Sequence, residues 1–226
     1  MLLTITTTHR PATDLGYLLH KNPARLQTFE LSFGKAHIFY PQADNARCTF
    51  AMLVEVDPVH LVRKRGTGKN ANFALDQYVN DRPYVASSFL SVALSQVLGS
   101  ALSGTSRERP ELTNTAIPIE TKIDVIACRG EENLIQQLIE PLGYTIKTTR
   151  HALDDRFPSW GNSRNYTLEL SHSLPLHEHL SHLYVLIPVL DNDKHYFDDE
   201  EEVEKLLRHG ETWLANHPAR QKIVDR

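Results

Sequence analysis

Arginine, lysine and tyrosine side chains recur in the irregular stretches of this sequence, between its apolar runs. Arginine and tyrosine anchor protein interfaces, and arginine also binds phosphates with two parallel hydrogen bonds. The alternative is that they are ordinary loop residues in ion pairs with nearby carboxylates. We predict a partner-binding set of eight residues: Arg63, Lys64, Arg65, Lys69, Arg82, Tyr84, Arg107 and Arg109.

The glycine-bearing stretch around Gly66-Thr67-Gly68-Lys69 is not a phosphate loop. That motif needs a glycine where Arg63 stands and a serine or threonine where Asn70 stands. Dinucleotide and serine-hydrolase glycine motifs are also missing, so we predict no catalytic residues in this chain. The stretch Arg63 to Asn72 is instead predicted to be a basic surface loop. A loop of this kind supports a second hypothesis, that Arg63 to Lys69 presents broken RNA ends.

Four histidines fall within eleven positions: His172, His177, His179 and His182. Zinc requires three or four ligands in a fixed tetrahedron, and the HExxH pattern is absent. We therefore favour partly exposed or hydrogen-bonded histidines and predict no metal ligands, with a histidine metal site as the weaker alternative. Asp191, Asp193 and His195 are likewise more typical of a cap or turn than of a cation site.

The composition fits a soluble globular protein. The chain has 226 residues, of which 41% are hydrophobic and 23% charged, with a net charge of −4. This mild acidity argues against a protein that holds nucleic acid by overall basicity. Two distant cysteines indicate a reducing compartment, and no stretch reads as a signal peptide or membrane span, so we expect a cytoplasmic protein.

Periodicity predicts the elements that must position these residues. The predicted strands are Leu2 to Thr7, Leu26 to Phe33, Ala36 to Tyr40, Cys48 to Val56, Ile119 to Cys128, Tyr144 to Thr149 and Tyr166 to Leu170. The predicted helices run from Thr13 or Asp14 to His20, Ser87 or Ser88 to Leu102, Glu131 to Glu140, Leu176 to Leu190, Asp199 to His209, and onward from Pro218.

Three local expectations go with these elements. Cys48 to Val56 is nearly all apolar, which predicts a central strand covered on both faces. Pro188 should end or kink its helix, and Gly210 should terminate the helix before it.

The fold class we predict is α+β, with two mixed subdomains that each carry a mostly antiparallel sheet with helices packed on it. The polar stretch Gly104 to Thr115 is the best boundary. The subdomains are residues 1–110 and 111–226, the second ending in a helix that leads to an absent C-terminal domain.

Longer segments carry a resemblance that covers essentially the whole chain in order. They are Phe29 to Pro41, Cys48 to Arg63, Gln77 to Leu94, Ser106 to Leu112, His179 to Phe197 and Glu202 to Pro218. Together they resemble the N-terminal half of the bacterial 3′-terminal RNA ribose 2′-O-methyltransferase of the RNA-repair system, which works with a polynucleotide kinase–phosphatase–ligase.

The resemblance implies a non-catalytic module that binds the ligase domain of that partner and activates ligation at the adenylylation step. It implies a dimer of heterodimers in the complex and only indirect contact with RNA. S-adenosylmethionine and a divalent metal belong, by the same resemblance, to the missing C-terminal half, which methylates the 3′-terminal ribose 2′-OH. We therefore expect no cofactor in this chain.

Overall fold

A computed structural model describes residues 1–57, 87–192 and 200–226. The strands in these ranges are β1 (Leu2–Thr7), β2 (Gln27–Leu31), β3 (Gly34–Ala43), β4 (Cys48–Val56), β5 (Ile117–Ala127), β6 (Thr145–Ala152) and β7 (Asn162–Leu174). The helices are α1 (Asp14–Leu19), α2 (Ser87–Leu102), α3 (Leu134–Ile139), α4 (Leu176–Asp191), α5 (Glu200–Leu214) and α6 (Arg220–Asp225). In this part of the chain, no helix is both long enough and apolar enough to cross a bilayer.

The described strands form a single antiparallel sheet in the order β2-β3-β4-β1-β5-β7-β6. This confirms the predicted α+β class and the antiparallel pairing. The prediction of a separate sheet for each subdomain is wrong, because β1 pairs with a strand on each side. Its Leu3 lies opposite Met52 of β4 and opposite Ile123 of β5. The sheet thus crosses the subdomain boundary, and the division into residues 1–110 and 111–226 stays a prediction.

One face of the sheet is buried and the other is largely open. Along β5 the burial alternates, with Ile119 and Ile123 buried and Glu120 and Lys122 exposed. Helices α2 and α4 pack against each other, and each also contacts the sheet, α2 through β4 and α4 through β5. Strand β4 lies inside the sheet as expected, but the expectation that both its faces are covered is wrong. Its Leu53 is 41% exposed, because the helices cover only the opposite face.

Pro188 does not end α4, which continues to Asp191. A proline lacks the N–H that would bond the carbonyl four residues earlier, so the Tyr184 carbonyl loses its usual helical donor. The Ser91 hydroxyl of α2 donates to that buried carbonyl at 3.2 Å. The small serine therefore supplies a donor to the carbonyl that Pro188 cannot bond, at the contact between the two helices.

Gly210 also differs from its prediction, since α5 runs through it to Leu214. Gly210 is buried, and a Cβ built on it would lie 4.0 Å from Val185 of α4. The Ser181 hydroxyl of α4 donates to the His209 carbonyl beside it. Contact with α4 therefore extends the helix beyond a residue that often ends one.

Candidate partner-binding surface

Two of the eight predicted site residues, Arg107 and Arg109, lie in the described part of the chain. They belong to the segment between α2 and the 3-10 turn Pro110–Leu112. The other six, Arg63, Lys64, Arg65, Lys69, Arg82 and Tyr84, lie outside the described residues.

Arg109 is bound to helix α1 by charge and by an aromatic ring. Its Nε donates to Asp14 Oδ2 at 3.0 Å, and its guanidinium carbon lies 5.4 Å from the centre of the Tyr17 ring. The Asp14 side chain is only 7% exposed, so this ion pair is partly shielded from water. The hydrogen bond to Asp14 and its negative charge raise the pKa of Arg109. The guanidinium is thereby held charged over an exposed tyrosine ring.

Hydrogen bonds between side chains and backbone groups fasten the same segment to α1 and to the residue that follows it. The Ser106 hydroxyl donates to the Tyr17 carbonyl at 3.4 Å and accepts from the Arg109 N–H at 3.2 Å. The His20 ring donates through Nε2 to the Thr105 carbonyl at 2.6 Å. The exposed Arg107 thus sits on an anchored segment. We call Tyr17, Arg107 and Arg109 the α1 surface.

Asp14 and Tyr17 are functional candidates that sequence reasoning missed. A signal was available in α1, whose Leu15, Leu18 and Leu19 form the buried side while Tyr17 is 47% exposed. A tyrosine outside the apolar stripe of a short helix is typical of a surface that meets a partner. The structure joins this tyrosine to Arg109, which is 92 positions away in the sequence.

The histidines of the weaker metal hypothesis are arranged around a buried tyrosine. The Tyr144 hydroxyl lies 2.9 Å from His179 Nδ1 and 2.8 Å from His182 Nδ1. His179 Nε2 lies 2.7 Å from Thr121 Oγ1. A hydroxyl has one proton, so Tyr144 donates to one histidine and accepts from the other. We call Thr121, Tyr144, His179 and His182 the histidine network.

Burial sets the charge state of this network. Desolvation is the main cause that lowers the pKa of His179 to about 3 and that of His182 to about 4, and the charge of neighbouring histidines acts in the same direction. Both rings are therefore neutral at physiological pH. Over the described ranges, no three His, Cys, Asp or Glu side chains are placed to hold a metal ion.

His177 and Asp191 have structural partners of their own. His177 donates through Nδ1 to the Thr113 carbonyl at 2.9 Å. The Asp191 carboxylate accepts from the Ser87 backbone N–H at 3.0 Å and pairs with Arg129 Nε at 3.1 Å. Asp191 thus caps the start of α2, a helix far earlier in the chain, and not the next element as the local pattern predicts. Asp193 and His195 lie outside the described residues.

The open face of the sheet carries a groove of about 490 Å³. Its charged side chains are in ion pairs: Arg47 with Glu120 at 2.6 Å, Lys147 with Glu169 at 2.8 Å, and Lys122 with Asp124 at 2.7 Å. RNA binding depends on cations that neutralise phosphates. Because these cations already have carboxylate partners, the groove offers no continuous positive track.

The fold is that of an α+β module, and its α1 surface consists of arginine and tyrosine, residue types that are enriched at protein interfaces. A family model matches residues 1–226, and the chain belongs to that family, the RNA repair, ligase-Pnkp-associating, region of Hen1. The family predicted from the sequence is therefore confirmed.

Two solved structures share this fold. A chain in the structure of the Pnkp1/Rnl/Hen1 RNA repair complex matches with a TM-score of 0.59 and 12% identity, over 92% of this chain and 47% of that chain. A second structure of the Pnkp1/Rnl/Hen1 complex matches with a TM-score of 0.60, 12% identity and the same coverage. The chain thus spans about half the length of the chains it matches (47%). No curated protein sequence matches it.

Proposed function

We propose that this chain is a non-catalytic module of a cytoplasmic bacterial RNA-repair methyltransferase. It binds the ligase domain of a polynucleotide kinase–phosphatase–ligase and activates RNA ligation at the adenylylation step. The complete protein methylates the 3′-terminal ribose 2′-OH at the repair junction and assembles with its partner as a dimer of heterodimers. The observation that carries the proposal is the family match over residues 1–226, because that family is the ligase-Pnkp-associating region.

Activation of this kind needs no group donated to the ligase active site. A module that binds the adenylylation-competent conformation of the ligase more tightly than the resting one raises the population of the former. At saturation, the equilibrium constant between the two ligase conformations changes by the ratio of the module's affinities for them. S-adenosylmethionine and the divalent metal act in the C-terminal half of the complete protein under this proposal.

The test is adenylylation of the purified partner ligase by labelled ATP, with and without this chain and without any methyl donor. We expect enzyme–adenylate to form faster as the chain is added, and to level off at saturation. An unchanged rate at saturating chain would refute the proposal.

We further propose that the eight predicted residues contact the ligase, and Arg107 offers the cleanest test. Arg107→Glu reverses an exposed charge, whereas Arg109→Glu would also place a second carboxylate beside the buried Asp14. Arg107→Glu should weaken activation while the unfolding midpoint stays at its wild-type value. Arg220→Glu, the same reversal at an exposed arginine of α6, is the matched control and should leave activation unchanged.

The alternative is an RNA-presenting module that acts through Arg63 to Lys69. Its signature is salt-dependent RNA binding by the isolated chain, with a slope that falls when Arg63, Lys64 and Arg65 are neutralised. The family match over residues 1–226 supports the ligase proposal over this one, because that family is the ligase-Pnkp-associating region.

A further inference from the structure

The turn between β6 and β7 projects three apolar side chains into water. Leu153 is 59% exposed, Phe157 50% and Trp160 61%. The Phe157 and Trp160 rings stack with centroids 4.8 Å apart and planes 15° from parallel. Single exposed apolar residues are ordinary, but a cluster of large ones on one turn marks an interaction site. We call these three residues the aromatic tip.

Local hydrogen bonds hold the aromatic tip in one shape. The Leu153 N–H donates to the Gly161 carbonyl at 3.1 Å, which closes the base of the turn. The Trp160 N–H donates to the Phe157 carbonyl at 2.9 Å. The Asp154 carboxylate accepts from the Arg156 N–H at 2.7 Å. A turn that is already ordered loses little conformational freedom on binding, which favours affinity.

The chemistry of the aromatic tip fits a protein better than RNA. Phe157 and Trp160 already cover one face of each other, and Leu153 has no ring on which a base can stack. Asp155, exposed on the same turn, repels phosphate groups. Protein–protein hot spots are, in contrast, rich in aromatic residues and arginine that become buried on binding. The turn offers this combination, because Arg156 is exposed beside the two rings.

We propose that the aromatic tip inserts into an apolar socket on the ligase-containing partner, with a carboxylate at the rim of that socket facing Arg156. The inference rests on the proposed function, because the family description names ligase-Pnkp as what this region associates with. It adds a second contact to the α1 surface. The tip adjoins β6, which ends the strand order opposite β2.

The experiment measures the dissociation constant between the purified partner and the chain, by calorimetry, for wild type, Phe157→Ala and Trp160→Ala. We expect each variant to weaken binding about 10- to 100-fold, the range of a hot-spot truncation. Leu26→Ala is the matched control, since Leu26 is 71% exposed just before β2, at the other end of the sheet. Its dissociation constant should lie within about twofold of the wild-type value, as is usual for substitutions outside a hot spot.

Hydrogen exchange provides a second measurement that needs no variant. The amides of residues 153–161 should exchange more slowly when the partner is bound. Partner-induced protection elsewhere with none in this turn would overturn the inference, as would wild-type affinity in both tip variants.

Other occupants give different results, and each would overturn the inference. If Phe157→Ala and Trp160→Ala lose RNA binding but keep wild-type affinity for the ligase, the aromatic tip contacts nucleic acid. If instead the wild-type chain self-associates on gel filtration and these variants do not, the tip contacts a second copy of the chain. Failure of the wild-type chain to bind or activate the ligase would refute the proposed function itself. That failure is visible before any variant is compared.

Discussion

Acid should destabilise this protein through the histidine network. Desolvation at full burial lowers the pKa of His179 from 6.5 to about 3, and that of the mostly buried His182 to about 4. The unfolded chain therefore binds more protons than the folded chain between about pH 3 and 6.5. The stability that these two neutral histidines contribute is present above pH 6.5 and is lost as the pH falls through this window, because only the unfolded chain exposes the rings to protonation.

The size of the effect follows from these values. At pH 5 nearly every unfolded histidine with a pKa of 6.5 is protonated, while both folded rings remain neutral. Between pH 7 and pH 5, the free energy of unfolding should fall by about 2 kcal/mol for each histidine, or about 4 kcal/mol for the pair. That is a large fraction of the about 5–15 kcal/mol that stabilises a typical domain.

Urea unfolding at pH 7 and pH 5 measures this difference for wild type, His179→Gln and His182→Gln. Each variant lacks one titrating ring, so its loss of stability between the two pH values should be about 2 kcal/mol smaller than that of wild type. His9→Gln is the control, because His9 is a half-exposed histidine outside the network. The same pH dependence in all four proteins would refute the reasoning, as would a His179 ring that titrates near pH 6.5 by NMR.

Three further predictions concern a buried hydrogen-bonded tyrosine, two glycines and one ion pair, and each is tested by measuring the free energy of unfolding in denaturant. Tyr144→Phe should destabilise by about 1–3 kcal/mol because it removes the hydroxyl partner of two buried histidine nitrogens, Nδ1 of His179 and Nδ1 of His182; a neutral effect would show that the network adds nothing. Gly34→Ala should cost about 2–4 kcal/mol, since its Cβ would lie 2.0 Å from the Glu55 carbonyl oxygen at φ +153°, whereas Gly99→Ala on an open helix surface should gain about 0.5–1 kcal/mol. Arg109→Ala and Asp14→Asn should each destabilise and together cost less than their sum, because they remove the two halves of one ion pair; strict additivity would contradict the pairing.

Hydrophobic periodicity located the elements well because most of them bury a face of their own. Strands β1 and β4 and helix α2 have the predicted bounds. Errors occurred where a neighbour overrides the local signal. Contact with α4 carries α5 past Gly210, and the hydroxyl of Ser91 donates to the Tyr184 carbonyl, which Pro188 cannot bond. A sequence read element by element does not show which neighbour supplies such a group.

The candidate site was predictable by residue type and not by partner. Arginine on a polar segment pointed to Arg107 and Arg109, but nothing in the sequence connects Arg109 with Asp14 and Tyr17 of α1. The histidine cluster shows the same limit. Its spacing allowed a metal site, and only the position of Tyr144, 35 residues before His179, shows that the rings bond a hydroxyl instead.

The single sheet bears on how the two proposed contacts work together. The α1 surface is carried by a helix that contacts β4, while the aromatic tip follows β6 at one end of the sheet. Between them lies a continuous hydrogen-bonded ladder through β1, β5 and β7. Separate subdomains could move against each other and adapt to a ligase, whereas one sheet fixes the spacing of the two surfaces. Under the proposed function, a rigid two-point contact of this kind would favour the ligase conformation that matches its spacing, and that preference would be the differential affinity that activation without catalysis requires.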